Sequence, residues 1–139
     1  MNERTTNLQD YVRREWGAGD QLRALRFYLS NSVEILAEYQ ERNYQGECFA
    51  ILSLYSGRRY FIWRDSFGSC KGCDALEGED IVGGLEYIKD TLVEGSTKEF
   101  TTLDDIELYM RTTPDTLWKD FPIYLIQDAK ATMKEKNIS

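Results

Sequence analysis

The chain contains no histidine, and its 139 residues include only two prolines and three cysteines. The absence of histidine excludes Ser-His and Cys-His nucleophile pairs and every metal site with an imidazole ligand. Acid–base chemistry would have to use Asp, Glu, Tyr, Lys or Cys side chains. An odd number of cysteines does not match the disulfide framework of a small secreted protein. We therefore expect a reducing compartment, the cytoplasm.

Long apolar runs are also missing. No run approaches the ~20 residues that cross a bilayer, and the polar first six residues argue against a secretory signal. We expect no membrane partner. An apolar fraction of 42% and an aromatic fraction of 13% are sufficient for a folded core. The length suits a single domain, residues 1–139.

Two helices are predicted before the first strand. Asn7 is a candidate N-cap for the first, and Asp20 for the second, which the apolar spacing extends to about Arg42. The second helix would bury Leu22, Leu25, Leu29, Val33, Leu36 and Tyr39. This stripe suits packing within the domain. A coiled-coil homodimer is the alternative, supported by fewer than three heptads.

A β-hairpin is predicted next, because residues 47–55 and 58–67 are rich in strand formers and Ser56-Gly57 is a tight-turn signal. This turn pairs Leu54 with Arg59, Leu52 with Phe61, Ala50 with Trp63 and Cys48 with Asp65. One face then carries Cys48, Ala50, Leu52, Leu54, Phe61 and Trp63. The other carries Phe49, Ile51, Ser53, Tyr55, Arg58, Tyr60, Ile62 and Arg64. The first face is the better core candidate, and the second could be covered by a helix or used for binding.

The remainder of the chain predicts helices at 80–94 and 103–112 with a short strand at 99–101 between them. Thr102 is the expected N-cap of the second of these helices. Residues 122–136 fit a final helix, although a strand at 122–127 is nearly as well supported. The chain thus predicts an α+β fold. N-terminal helices precede an antiparallel hairpin or small sheet, and C-terminal helices pack on it.

The segment from Gly68 to Asp74 holds Cys70 and Cys73 directly after an apolar strand. A Cys-x-x-Cys pair supports thiol chemistry or supplies two ligands of a zinc site. Acidic neighbours such as Glu77 disfavour a reactive thiolate. The glycines also suit a compact connection between hairpin and helix, with buried cysteines and no cofactor.

A zinc site is the cofactor alternative. The predicted hairpin register brings Cys48 beside Asp65, near the strand end that leads into the Cys-x-x-Cys segment. The candidate ligands are therefore Cys48, Cys70, Cys73 and Asp74. A three-thiolate site with one carboxylate would complete the usual four ligands.

Residues 67–76, Phe-Gly-Ser-Cys-Lys-Gly-Cys-Asp-Ala-Leu, carry a further signal. They resemble the aromatic-Gly-Ser-Cys-x-Gly-Cys-Asp-x-Leu motif of small uncharacterised phage and virus proteins, which also place an aromatic strand before the motif. The resemblance covers roughly residues 44–94. It implies a viral or mobile-element source, and it implies no activity because that family has none established.

The acidic residues are concentrated towards the C-terminus. Residues 76–139 carry fourteen Asp and Glu against seven Lys and Arg, which accounts for the whole net charge of −7. The candidate partner-binding residues are Glu79, Asp80, Glu86, Asp90, Glu94, Asp104, Asp105 and Glu107. Carboxylates on one face could occupy a partner's nucleic-acid site, whereas direct nucleic-acid binding by this half is disfavoured. Solvated outer faces of two amphipathic helices would give the same pattern.

An anion or nucleotide site is a further alternative, formed by Arg58 and Arg64 on one hairpin face, with Arg59 joining if the turn slips by one residue. There is no P-loop, dinucleotide fingerprint or nucleophile elbow. The sequence therefore favours a non-enzymatic acidic protein of a virus or mobile element that binds a host protein in the host cytoplasm. A thiol- or metal-dependent module at Cys70 and Cys73 remains the alternative from another class.

Overall fold

The structure is a computed structural model that describes residues 16–17, 19–29, 33–41, 46–54, 59–68, 76, 78–93 and 97–138. Its helices are α1 (Gln21–Tyr28), α2 (Ile81–Val93), α3 (Leu103–Thr112) and α4 (Tyr124–Ile138), with a 3₁₀ turn at Thr116–Trp118. Its strands are β1 (Val33–Gln40), β2 (Gly46–Leu54), β3 (Tyr60–Phe67) and β4 (Thr97–Phe100). They form one sheet in the order β1-β2-β3-β4, with every neighbouring pair antiparallel. The α+β prediction is confirmed.

The sheet lies between two helical layers, and each layer encloses its own core. The α1/α2 face buries Trp16, Leu22, Ala24, Leu25, Cys48, Ala50, Leu52, Trp63, Leu76 and Ile88. The α3/α4 face buries Leu36, Ala37, Phe49, Ile51, Tyr60, Ile62, Leu103, Ile106, Trp118, Phe121, Leu125, Ile126 and Ala129. Because side chains alternate along a strand, β2 and β3 contribute to both cores. Both central strands are accordingly apolar on both sides.

The predicted hairpin register is confirmed. Cys48 pairs with Asp65, Ala50 with Trp63 and Leu52 with Phe61, and the backbone N–H of Leu54 donates to the carbonyl of Arg59 at 3.1 Å. The turn residues 55–58 lie outside the described residues. Helices cover both faces of the hairpin, so its second face belongs to a core as well.

The prediction of one helix from Asp20 to about Arg42 is wrong. The helix ends at Tyr28, and Val33–Gln40 forms the edge strand β1. A register shift between Ile35 and Ala37 places an extra residue in β1. Val33 and Ile35 consequently contact the α1/α2 core, whereas Ala37 lies in the α3/α4 core. A strand that contacts a core on each face and is interrupted by a bulge loses the alternation of apolar and polar residues that identifies a strand, so its apolar spacing resembles that of a helix.

The coiled-coil alternative fails for the same reason over residues 22–39, since its stripe is divided between a helix and a strand. The helix predicted after Asn7 lies outside the described residues. The helices predicted at 80–94 and 103–112 are confirmed by α2 and α3, and the short strand by β4. The final helix is confirmed by α4, so the strand alternative at 122–127 is wrong.

Trp16 anchors the α1/α2 layer at the start of α2. Its backbone N–H donates to the carbonyl of Glu79 at 2.8 Å, and its indole Nε1 donates to the carbonyl of Ile81 at 3.3 Å. A Cβ on Gly84 would overlap the indole ring, so only glycine permits this approach. The Gly83-Gly84 pair costs helix propensity but places a large aromatic residue in the core.

Within the described segments, no helix combines the length and apolar character required to cross a membrane.

Candidate binding surfaces

The structure separates the predicted acidic residues into two groups on opposite faces of the sheet. Glu79, Asp80, Glu86 and Asp90 lie at or on α2 and are exposed, and we call these four residues the α2 acidic surface. The other group belongs to α3 and consists of Asp104, Asp105 and Glu107. Glu94 lies outside the described residues. Because α2 and α3 cover opposite faces, a single flat partner surface could not contact both groups.

The α2 acidic surface carries carboxylates that are not neutralised within the described chain. Among the described residues, Glu79, Glu86 and Asp90 take part in no ion pair. Glu86 and Asp90 are separated by one helical turn, about 6 Å along the axis. Asp80 has a structural role as well, since its Oδ1 accepts from the N–H of Gly83 at 2.7 Å and caps α2.

Two exposed valines lie beside these carboxylates. Val82 is 70% and Val93 75% exposed. At about 100° per residue, Val82, Glu86 and Val93 fall within a narrow arc on the side of α2 that faces away from the buried Ile88. The outer side of α2 is thus acidic with apolar side chains at both ends, and Lys89 is the only cation in the helix.

Two of the three α3 carboxylates are paired with cations, whereas Asp105 takes part in no ion pair with a described residue. Lys130 of α4 contacts Asp104 at 2.6 Å and Glu107 at 3.9 Å, and Arg111 contacts Glu107 at 3.2 Å. The hydrogen bond from Lys130 to Asp104 raises the pKa of the lysine above its ordinary value, so the amine is a cation at neutral pH. The N–H of Asp105 donates to Thr102 Oγ1 at 3.0 Å, which confirms Thr102 as the N-cap.

Of the four candidate metal ligands, only Cys48 belongs to the described chain. It is fully buried in the α1/α2 core, and its thiol donates to the carbonyl of Asp65 at 3.5 Å. Cys70, Cys73 and Asp74 lie outside the described residues, so the zinc hypothesis stays a prediction. Within the described ranges, no group of three or more Cys, Asp or Glu side chains could hold a metal ion.

The hairpin arginines do not converge on a common site. Arg64 is 9% exposed and binds Glu47 at 2.7 Å on the α3/α4 face. Arg59 lies on the opposite side by strand alternation and pairs with Glu99 at 3.3 Å. Arg58 lies outside the described residues. The two described arginines are therefore engaged by carboxylates on different sides of the sheet.

Sequence reasoning missed two pockets. An apolar cavity of about 400 Å³ lies at the C-terminal ends of α1 and α2, lined among others by Leu29, Val33, Leu54, Phe61 and Leu92. A polar cavity of about 360 Å³ lies at the start of α3. Sequence reasoning missed the apolar cavity because it assigned Val33, which lines the cavity, to a helix. The second joins residues from distant parts of the sequence, so no local pattern indicates it.

Comparison of the chain with models of known protein families, with curated proteins and with solved structures gives no match.

Proposed function

We propose that this chain is a non-enzymatic protein of a virus or mobile element that binds a host protein in the host cytoplasm through the α2 acidic surface. The observation that carries the proposal is the contrast between the two acidic helices. The carboxylates of Glu86 and Asp90 have no ion-pair partner in the described chain, whereas those of Asp104 and Glu107 are paired with cations. Charges left without an internal partner are available to an external one.

The chemistry of this surface indicates a basic partner. Carboxylates one helical turn apart suit a row of lysines or arginines, such as those that line a nucleic-acid site. Val82 and Val93 would add apolar contact area at the ends of the charged row. Electrostatic complementarity of this kind accelerates encounter and selects against acidic partners.

The same charges argue against two other occupants of this surface. A second copy of the chain would place like charges against each other across a symmetric contact, which is unfavourable. Nucleic acid would meet carboxylates where it needs cations. The viral or mobile-element source is supported by the motif at residues 67–76.

Affinity capture from lysates of candidate host cells tests the proposal. Tagged wild-type protein should retain a basic protein at low salt and lose it progressively as ionic strength rises. The double variant Glu86→Lys/Asp90→Lys should fail to retain it. With purified partner, we expect the dissociation constant of this variant to rise by about tenfold or more, equivalent to about 1.4 kcal/mol.

The matched control is Asp120→Lys/Asp128→Lys. Both carboxylates are exposed, neither forms an ion pair with the described residues, and both belong to the α3/α4 side. The net charge changes equally in the two variants. Retention of the partner by the control alone supports the proposal, and equal behaviour of the two variants, whether loss or retention, overturns it.

A further inference from the structure

The polar cavity at the start of α3 brings hydrogen-bond donors together from three elements of the chain. Tyr60 comes from β3, Thr101 and Thr102 precede α3, and Lys130 comes from α4. Its volume of about 360 Å³ lies in the range of small-molecule sites. The cavity is on the α3/α4 side and shares no residue with the α2 acidic surface.

Tyr60 is the most informative of these residues. It is 92% buried, since only 8% of its surface is exposed, and its ring belongs to the α3/α4 core. Its hydroxyl forms no hydrogen bond with any residue that the structure describes, yet it is not among the fully enclosed polar atoms that lack a partner. The hydroxyl is therefore accessible from outside the protein, and Tyr60 is one of the residues that line the cavity. Because this hydroxyl has no protein partner among the described residues and is accessible, it is available to donate a hydrogen bond to a ligand in the cavity.

The start of α3 adds backbone donors to the cavity. Thr102 Oγ1 accepts from the N–H of Asp105, so the N–H groups of Leu103 and Asp104, which precede the first intrahelical bond, are left for another acceptor. These groups and the positive end of the helix dipole favour an anion.

Lys130 completes the set of donors, and Asp104 occupies the position that a ligand would take. The amine of Lys130 contacts the Asp104 carboxylate at 2.6 Å, but the Asp104 side chain is 82% exposed. An ion pair this open to water contributes little free energy, so an external anion can replace the carboxylate. Glu107, which is farther away at 3.9 Å, is already balanced by Arg111.

We propose that the cavity between Tyr60, the start of α3 and Lys130 binds the phosphate group of a small phosphomonoester, which replaces Asp104 as the partner of Lys130. An ammonium group, two kinds of hydroxyl and backbone N–H groups are the donors that phosphate uses in proteins. The cavity leaves room beyond one phosphate for the group esterified to it.

Titration of ¹⁵N-labelled protein with inorganic phosphate, and separately with AMP, followed by NMR tests this site. We expect shifts of the Leu103, Asp104 and Asp105 amide signals, with a dissociation constant of about 1 mM for phosphate. Tighter binding of AMP would indicate a nucleotide, and equal binding would indicate recognition of the phosphate alone. Absence of saturable shifts with both probes would overturn the proposal.

Substitutions in the cavity should change the affinity for phosphate in opposite directions. Asp104→Asn removes the competing carboxylate and should tighten phosphate binding severalfold, whereas Lys130→Met should weaken it by about tenfold. Tyr60→Phe keeps the ring in the core and should weaken binding severalfold. Asp120→Asn removes a carboxylate outside the cavity and should leave the affinity unchanged. Weaker phosphate binding by Asp104→Asn would show that the Asp104 carboxylate does not compete with the ligand for Lys130, and would contradict the proposal.

Discussion

Trp16 determines which residue can occupy position 84. Its indole lies against Gly84, where a Cβ would overlap the ring. Gly84→Ala must displace either the ring or the first turn of α2, so we expect it to lower the free energy of unfolding by about 1–3 kcal/mol. Urea denaturation monitored by tryptophan fluorescence measures this loss.

Gly83→Ala is the matched control, one position earlier in the same helical turn. The added Cβ would meet chiefly the end of the flexible Glu79 side chain, which can move aside. Alanine also has the better helix propensity, so we expect this variant to equal the wild type or to exceed it by up to about 1 kcal/mol. Equal destabilisation by the two substitutions would contradict the role given to Trp16.

Thr91 provides a buried hydrogen bond between α2 and the sheet. Its hydroxyl accepts from Trp63 Nε1 at 2.8 Å and donates to the carbonyl of Ile88 at 2.6 Å. Thr91→Val keeps the shape but leaves the indole N–H buried without a partner, which should cost about 1–3 kcal/mol of unfolding free energy. Thermal or urea unfolding would measure it. Thr91→Ser retains the hydroxyl and should lose clearly less, and a valine variant as stable as the serine variant would count against this bond.

At the level of elements, the sequence predicted helices and strands best where residues close together in the chain determine the conformation. The threonine at the start of α3 and the turn between β2 and β3 are local signals, and the hairpin register and the start of α3 were both correct. Strand β1 was missed because its conformation depends on the helices that cover both its faces. Leu36 and Ala37, which are adjacent in sequence, both lie in the α3/α4 core at the bulge. Neither the two-residue period of a regular strand nor any other single period predicts this arrangement.

The partition of the acidic helices is another property of elements that sequence could not supply. Strand β4 pairs with β3 at the edge of the sheet, and the chain passes there from the α1/α2 face to the α3/α4 face. The carboxylates of Glu86 and Asp104 therefore lie on opposite sides although both were assigned to one acidic segment. Sequence identified the charged residues, and only the sheet topology assigns them to surfaces.

Considered as a whole, the molecule presents two chemically different sides. On α2, Glu86 and Asp90 have no cationic partner in the described chain. On α3, Lys130 pairs with Asp104 and Arg111 pairs with Glu107. The polar cavity joins Tyr60 to Lys130 across 70 positions of sequence. Such a site exists only after folding, which explains why composition and motifs did not indicate it. The two proposed sites can be tested independently because no residue belongs to both.

Carboxyl footprinting by mass spectrometry, with and without the captured host protein, tests the central claim most directly. The reagent labels exposed carboxylates, and all four residues compared are exposed in the free protein. We predict that the partner protects Glu86 and Asp90 from labelling and leaves Asp120 and Asp128 labelled as before. Protection of Asp120 and Asp128 with unchanged labelling of Glu86 and Asp90 would contradict the assignment of the binding surface to α2.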